Sequence, residues 1–144
     1  MHNQSYSAYA DGTSDLFAQP AVVYAGFWER FAAVILDGLI LLIPNLLLKY
    51  SLGPYSLLVT LIVSWLYAAL QESGVSQATI GKKAVGIKVT STEGERISFA
   101  QATGRHFGKY ISAIILFIGY LMMLWDERRQ TLHDKMAGTL IVKQ

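Results

Sequence analysis

FAAVILDGLILLIPNLLL, residues 31 to 48, carries a single charge in eighteen positions, Asp37. Wound as a helix at about 1.5 Å per residue it spans about 27 Å, close to the roughly 30 Å hydrocarbon core of a bilayer. Working outward, Lys49-Tyr50-Ser51-Leu52-Gly53-Pro54 supplies a basic residue and a Gly-Pro break. Tyr55 to Leu70 is then a second run with no charge, closed by Gln71 and Glu72. The pair reads as a transmembrane helical hairpin.

Composition agrees. The chain has 144 residues, 53% hydrophobic and 15% charged, against about 45–50% and about 25% for soluble domains. That apolar content excludes disorder as the main state, and the length fits one domain at most. A net charge of +2 without basic residues interleaved on an aromatic face argues against nucleic acid. The absence of Cys excludes a disulfide framework, a thiolate metal site and a Cys nucleophile. Residues 1–22 are polar, lack Lys and Arg, and read as a disordered tail rather than a signal peptide's basic start. Residues 23–144 form the membrane domain.

Between 73 and 109 the chain changes character, with Lys82, Lys83, Lys88, Arg96, Arg105 and Lys109 among Gly, Ser and Thr. Ile87 and Val89 alternate with polar residues, Glu93-Gly94 signals a turn, and Ile97 and Phe99 alternate again. This predicts a β-hairpin, which Thr139 to Lys143 would extend as a third strand. A third apolar run lies at about 106–125 and stops at Asp126-Glu127-Arg128-Arg129. The expected fold is all-α and membrane-embedded. It has three transmembrane helices, near 27–49, 55–71 and 106–125, with a short cytoplasmic strand element. Lys and Arg concentrate both before and after the third run, and the positive-inside rule would keep both segments cytoplasmic, as it would the N-terminus beside Arg30. Either the third helix crosses against that rule, or it enters and returns, kinked near Gly119. The side of the C-terminus stays open.

Asp37 is the sharpest chemical signal, because an acid at a helix centre costs about 2.5–3.5 kcal/mol on insertion scales. It reads as a buried polar clamp, as part of an ion or proton pathway, or as a solvated position. Arg30, two turns earlier, shares its face. Thr60, Ser64, Tyr67 and Gln71 form one face of the second span and offer it hydroxyls. Gly104, Gly108 and Ser112 form a small-residue seam suited to close helix packing, within the chain or between copies. Gly81-Lys82-Lys83 fails as a phosphate loop, since Lys83 stands where Ser or Thr is required. Contact of Lys82 and Lys83 with lipid headgroups fits better. His133 and Asp134 are adjacent and diverge on a helix, so no metal, cofactor or catalytic constellation is expected.

Three blocks carry a resemblance. They are Ala25 to Ala33 with Asp37; Thr79 to Val89 with Ile97-Ser98-Phe99 and Arg105; and Gln130 to Thr139. Together they resemble the RDD family of small bacterial membrane proteins over roughly residues 24–143. The resemblance implies an integral inner-membrane protein whose Arg and two Asp correspond to Arg30, Asp37 and Asp134, with Asp126 the other candidate for the second Asp. It also implies transport of unidentified ligands, in some members exchange of a small cation for protons. The competing expectation is a non-transporting scaffold or accessory subunit that docks a partner protein through its basic segment. A transporter built from so few helices would need a homo-oligomer.

Overall fold

The computed structural model describes residues 21–115 and 118–144. Most of the tail expected over 1–22 lies outside the described residues. The described chain is mostly helical with one two-stranded sheet.

The apolar stretch Phe27–Ser73 is helical throughout. It comprises α1 (Phe27–Leu52), a single 3₁₀ turn at Gly53–Tyr55 and α2 (Ser56–Ser73). The turn folds it back on itself: Tyr67 donates to Asp37 across 2.8 Å, whereas thirty residues of straight helix would part them by about 45 Å. Gly53 takes φ +51, which favours glycine at the reversal. Most apolar side chains of the hairpin point outward: Val34, Ile43 and Leu47 are all more than 60% exposed.

At the open end of the hairpin the remaining elements build a cap. α3 (Ile80–Val85) starts at Thr79, whose hydroxyl accepts the Lys82 amide, and stops at Gly86 with φ +75. β1 (Ile87–Ser91) follows. The hairpin's expected second arm does not form a strand. Ser98 and Gln101 make a reciprocal capping box, so Phe99 opens α4 (Phe99–Ile114) instead. Ser-x-x-Gln satisfies two orphan helix donors at once, and that outweighs two alternating apolar residues. The partner of β1 is the C-terminal segment, β2 (Thr139–Lys143), antiparallel from Ile87 opposite Lys143 to Ser91 opposite Thr139. Tyr24 bridges Val142 on the far side.

The third apolar run is not one helix. α4 begins seven residues before the expected span, and α5 (Ile118–Leu121), continued by a 3₁₀ turn to Leu124, leaves it at 115°. The bend precedes Gly119. A Cβ on Gly119 would lie 2.8 Å from the Ser112 side chain, so the missing side chain lets α5 fold close to α4. α6 (Leu132–Ala137) is capped reciprocally by Thr131 and Asp134 and closed by Gly138 at φ +62. The small apolar core of the cap joins Ala25, Ala33, Ala69, Ile87, Val89, Ile97, Ala102 and Ile141.

Candidate functional site

Two polar clusters hold the hairpin to the cap. In the first, Asp37 is half-buried where α1 meets α3. One carboxylate oxygen accepts Tyr67 Oη and the Gly81 amide, each at 2.8 Å, and the other accepts Thr79 Oγ1 at 2.5 Å. Gly81 must be small: a Cβ there would sit 2.8 Å from the Asp37 carboxylate and against the Ala33 carbonyl. The cluster thus pins α2 and the start of α3 to one point on α1. Of the polar stripe on α2, Tyr67 reaches Asp37. Ser64 makes no polar contact among the described residues, and Thr60 lines an open groove of about 360 Å³ with Gly38, Leu42 and Asn45.

The second cluster is ionic and buried. Arg30 turns away from Asp37. Its guanidinium pairs with Asp134 and donates to the Arg129 carbonyl at 2.6 Å and the Ala25 carbonyl at 3.3 Å. Asp134 also meets Arg105 at 2.6 Å, Arg105 meets Glu72 at 3.2 Å, and Glu72 pairs with Lys82. Arg105 donates to Thr139 at the start of β2 as well. Arg30, Asp134, Arg105, Glu72 and Lys82 therefore form one chain of charges, each from a different helix: α1, α6, α4, α2 and α3. None exceeds 9% exposure. Burial alone would raise the Asp134 carboxyl, but Arg105 and Arg30 hold it well below the usual carboxylate range. Burial pushes the Lys82 ammonium down to about 8 despite Glu72 beside it. His133, packed under Tyr120 and 3.0 Å from Thr131 Oγ1, is pushed down to about 3 by burial and is neutral at pH 7.

Other expected site residues take different places. Asp126 pairs with Lys135 at 2.5 Å and accepts the Gln130 amide at 2.9 Å, away from Arg30. Lys82, expected at lipid headgroups, is instead buried on Glu72, while Lys83 is exposed. Gly108 and Ser112 pack within the chain: a Gly108 Cβ would fall 2.8 Å from His133, and Ser112 lies 3.4 Å from its ring. Gly104 faces open space. The sequence reading missed Glu72 as a site residue and saw Arg105 only as part of a motif. Their signal is a charge at the edge of an apolar run, as in Ala68-Ala69-Leu70-Gln71-Glu72.

The profile of the RDD family matches residues 24–138. Uncharacterized protein YxaI of Bacillus subtilis is 32% identical over 82% of this chain and 96% of its own length. Uncharacterized membrane protein YteJ of the same organism is 30% identical over 84% and 82%. The proline-rich antigen homolog of Mycobacterium tuberculosis is 42% identical over 54% of this chain, 32% of its own length. No solved structure matches. Arg30 and Asp134 are ion-paired in the cap, Asp37 clamps the hairpin, and the profile spans all three: the chain belongs to the RDD family, a membrane protein.

Proposed function

We propose that the protein is a multi-pass inner-membrane scaffold or accessory subunit, in which a two-helix anchor carries a cytoplasmic cap that docks a partner protein. The observation that carries this reading is the occupancy of Asp37. A carboxylate offers about four lone-pair sites, and Tyr67, Thr79 and Gly81 take three of them. Each donor belongs to an element that Asp37 must hold in place, so binding a cation there would release α3 from α1. The orientation rests on charge. Lys83, Arg96, Arg128 and Arg129 are exposed on the cap, and Lys49 lies near the hairpin tip. That excess favours the cytoplasm for the cap and gives it a basic surface suited to an acidic partner.

The test is cation-dependent proton flux in proteoliposomes of the purified protein and its Asp37→Asn variant, with thermal unfolding of both. The expected result is no flux above empty vesicles for either protein and a lower unfolding temperature for the variant. Flux in the natural protein that the variant abolishes would overturn the scaffold reading. It would favour exchange of a small cation for protons at Asp37, with copies assembled around the path.

A further inference from the structure

We propose that the α4–α5 bend is a membrane wedge: it enters one leaflet from the side of the cap and returns without crossing, its apolar face covered by lipid. The inference rests on the membrane-anchor reading and adds a second lipid contact to it. Strand pairing carries the argument. β1 and β2 are hydrogen-bonded neighbours over five residue pairs, so residues 91 and 139 lie on one side of any bilayer. The chain between them crosses an even number of times. Two full crossings need about 40 residues, and only 27 run from Phe99 to Trp125. The number of crossings is therefore zero.

The faces of α4 say what covers it. Toward the cap it buries Arg105, His106, Gly108 and Ser112; outward it exposes Phe107, Ile111 and Ile114, followed by Ile118, Leu121 and Leu124. A helix with polar residues inside and large apolar ones outside suits a hydrocarbon surround, as interfacial amphipathic helices do. This face is continuous with the hairpin, because Trp65 of α2 packs on Phe99 and Phe107 at centroid distances of 5.9 and 6.1 Å. From Phe107 to Ile114 α4 rises about 10.5 Å, within the depth of one leaflet of about 15 Å. Across the bend the Ile118 amide donates to the Ile115 carbonyl at 2.9 Å, the kind of internal bond that backbone at membrane depth requires. Trp125, 77% exposed, stands at the exit, where amphipathic rings settle at the interface.

Because the sequence has no Cys, single cysteines can report the topology in the full chain. Ser51→Cys, Thr92→Cys and Gln144→Cys are labelled with a membrane-impermeant maleimide in intact cells and in inverted vesicles. The expected pattern is Thr92→Cys and Gln144→Cys modified from one face and Ser51→Cys from the other. Opposite faces for Thr92→Cys and Gln144→Cys would overturn the wedge while leaving the anchor reading intact. Ser51→Cys on the same face as Thr92→Cys, or release of the protein by carbonate, would overturn the anchor reading itself. A spin label at Ile114→Cys, reconstituted in phosphatidylcholine and phosphatidylglycerol vesicles, then identifies the covering medium. Collision with oxygen but not with a water-soluble nickel chelate supports lipid. Protection from both means a protein surface, such as a second copy, covers the face, and overturns the proposal.

Discussion

The hairpin beyond Val34 and the cap beneath it are opposites. Side chains such as Ile43 and Leu47 are apolar and outward, whereas the cap encloses Arg105, Glu72 and Asp134 at 1% exposure or less. Between two apolar helices in lipid there is no hydrophobic drive, because acyl chains are as apolar as leucine. Surface complementarity alone therefore fixes the hairpin poorly, and directional contacts at its base fix it instead. Asp37 and the charge chain supply these where α1, α2, α3, α4 and α6 meet. The chain holds three cations and two anions, and buried ions of this kind cost desolvation that their mutual attraction must offset. What they add is a single geometry: with five helices each giving one charge, no helix can rotate without leaving a charge unmatched.

The largest test of this contrast is Asp134→Asn. It removes the anion shared by Arg30 and Arg105 and should destabilise the cap by about 3–5 kcal/mol, the range for breaking one partner of a buried pair. Thermal unfolding in mild detergent, with limited proteolysis between α4 and α6, reads it. An unfolding temperature unchanged within a degree would mean that apolar packing, not the ion chain, holds the cap. A cycle with Arg30→Gln should show strong coupling. Next in size is Gly81→Ala, whose methyl must push α3 off Asp37 and Ala33. Overpacking of this kind costs about 1–3 kcal/mol, and the same assay should find it well above the effect of Gly104→Ala, which meets nothing.

The hairpin was legible because it depends on composition: two runs of eighteen and sixteen residues with one charge between them, separated by a Gly-Pro break, leave few alternatives. Arg30 and Asp134, 104 positions apart, could be paired in thought only through the need of a boundary Arg for an anion. The misread elements share a cause. Ile97-Ser98-Phe99 alternates like a strand, yet the decisive residue is Gln101, which completes the cap with Ser98. Lys82 and Lys83 are neighbours of identical type, yet one is buried on Glu72 and the other is exposed. Which side of α3 faces α2 is a tertiary fact, and no local pattern carries it. The same holds for Glu72, whose burial depends on α3 and α4 closing over it.

A smaller effect sharpens the electrostatic side. His133 titrates at about 3 in the folded protein, below its ordinary value of about 6.5. On acidification the unfolded chain takes the proton first, so this contribution is present above about pH 6.5 and is lost progressively toward pH 3. Asp134, also held low by its cations, acts in the same direction below about pH 4. Unfolding temperatures at pH 7, 5.5 and 4 should therefore fall steadily, and His133→Gln should flatten the upper part of that slope. An unchanged slope would show that His133 is solvated or protonated in the folded cap.

The smallest expected effect lies in the hairpin itself. Ile43 is 68% exposed, and in a bilayer or micelle its side chain leaves apolar solvent neither on folding nor on truncation. Ile43→Ala should thus change stability by no more than about 0.5 kcal/mol, as for substitutions that touch no special feature. Ile87, fully buried in the apolar core of the cap, offers the contrast: Ile87→Ala should cost about 2–5 kcal/mol through lost contacts and a cavity. The same isoleucine, truncated in the same chain, is near neutral where lipid replaces water and severe where protein encloses it. A cost for Ile43→Ala near that for Ile87→Ala would require a partner packed on α1 in the membrane. In that case the outward face of the hairpin would be an interface between proteins rather than a boundary with lipid.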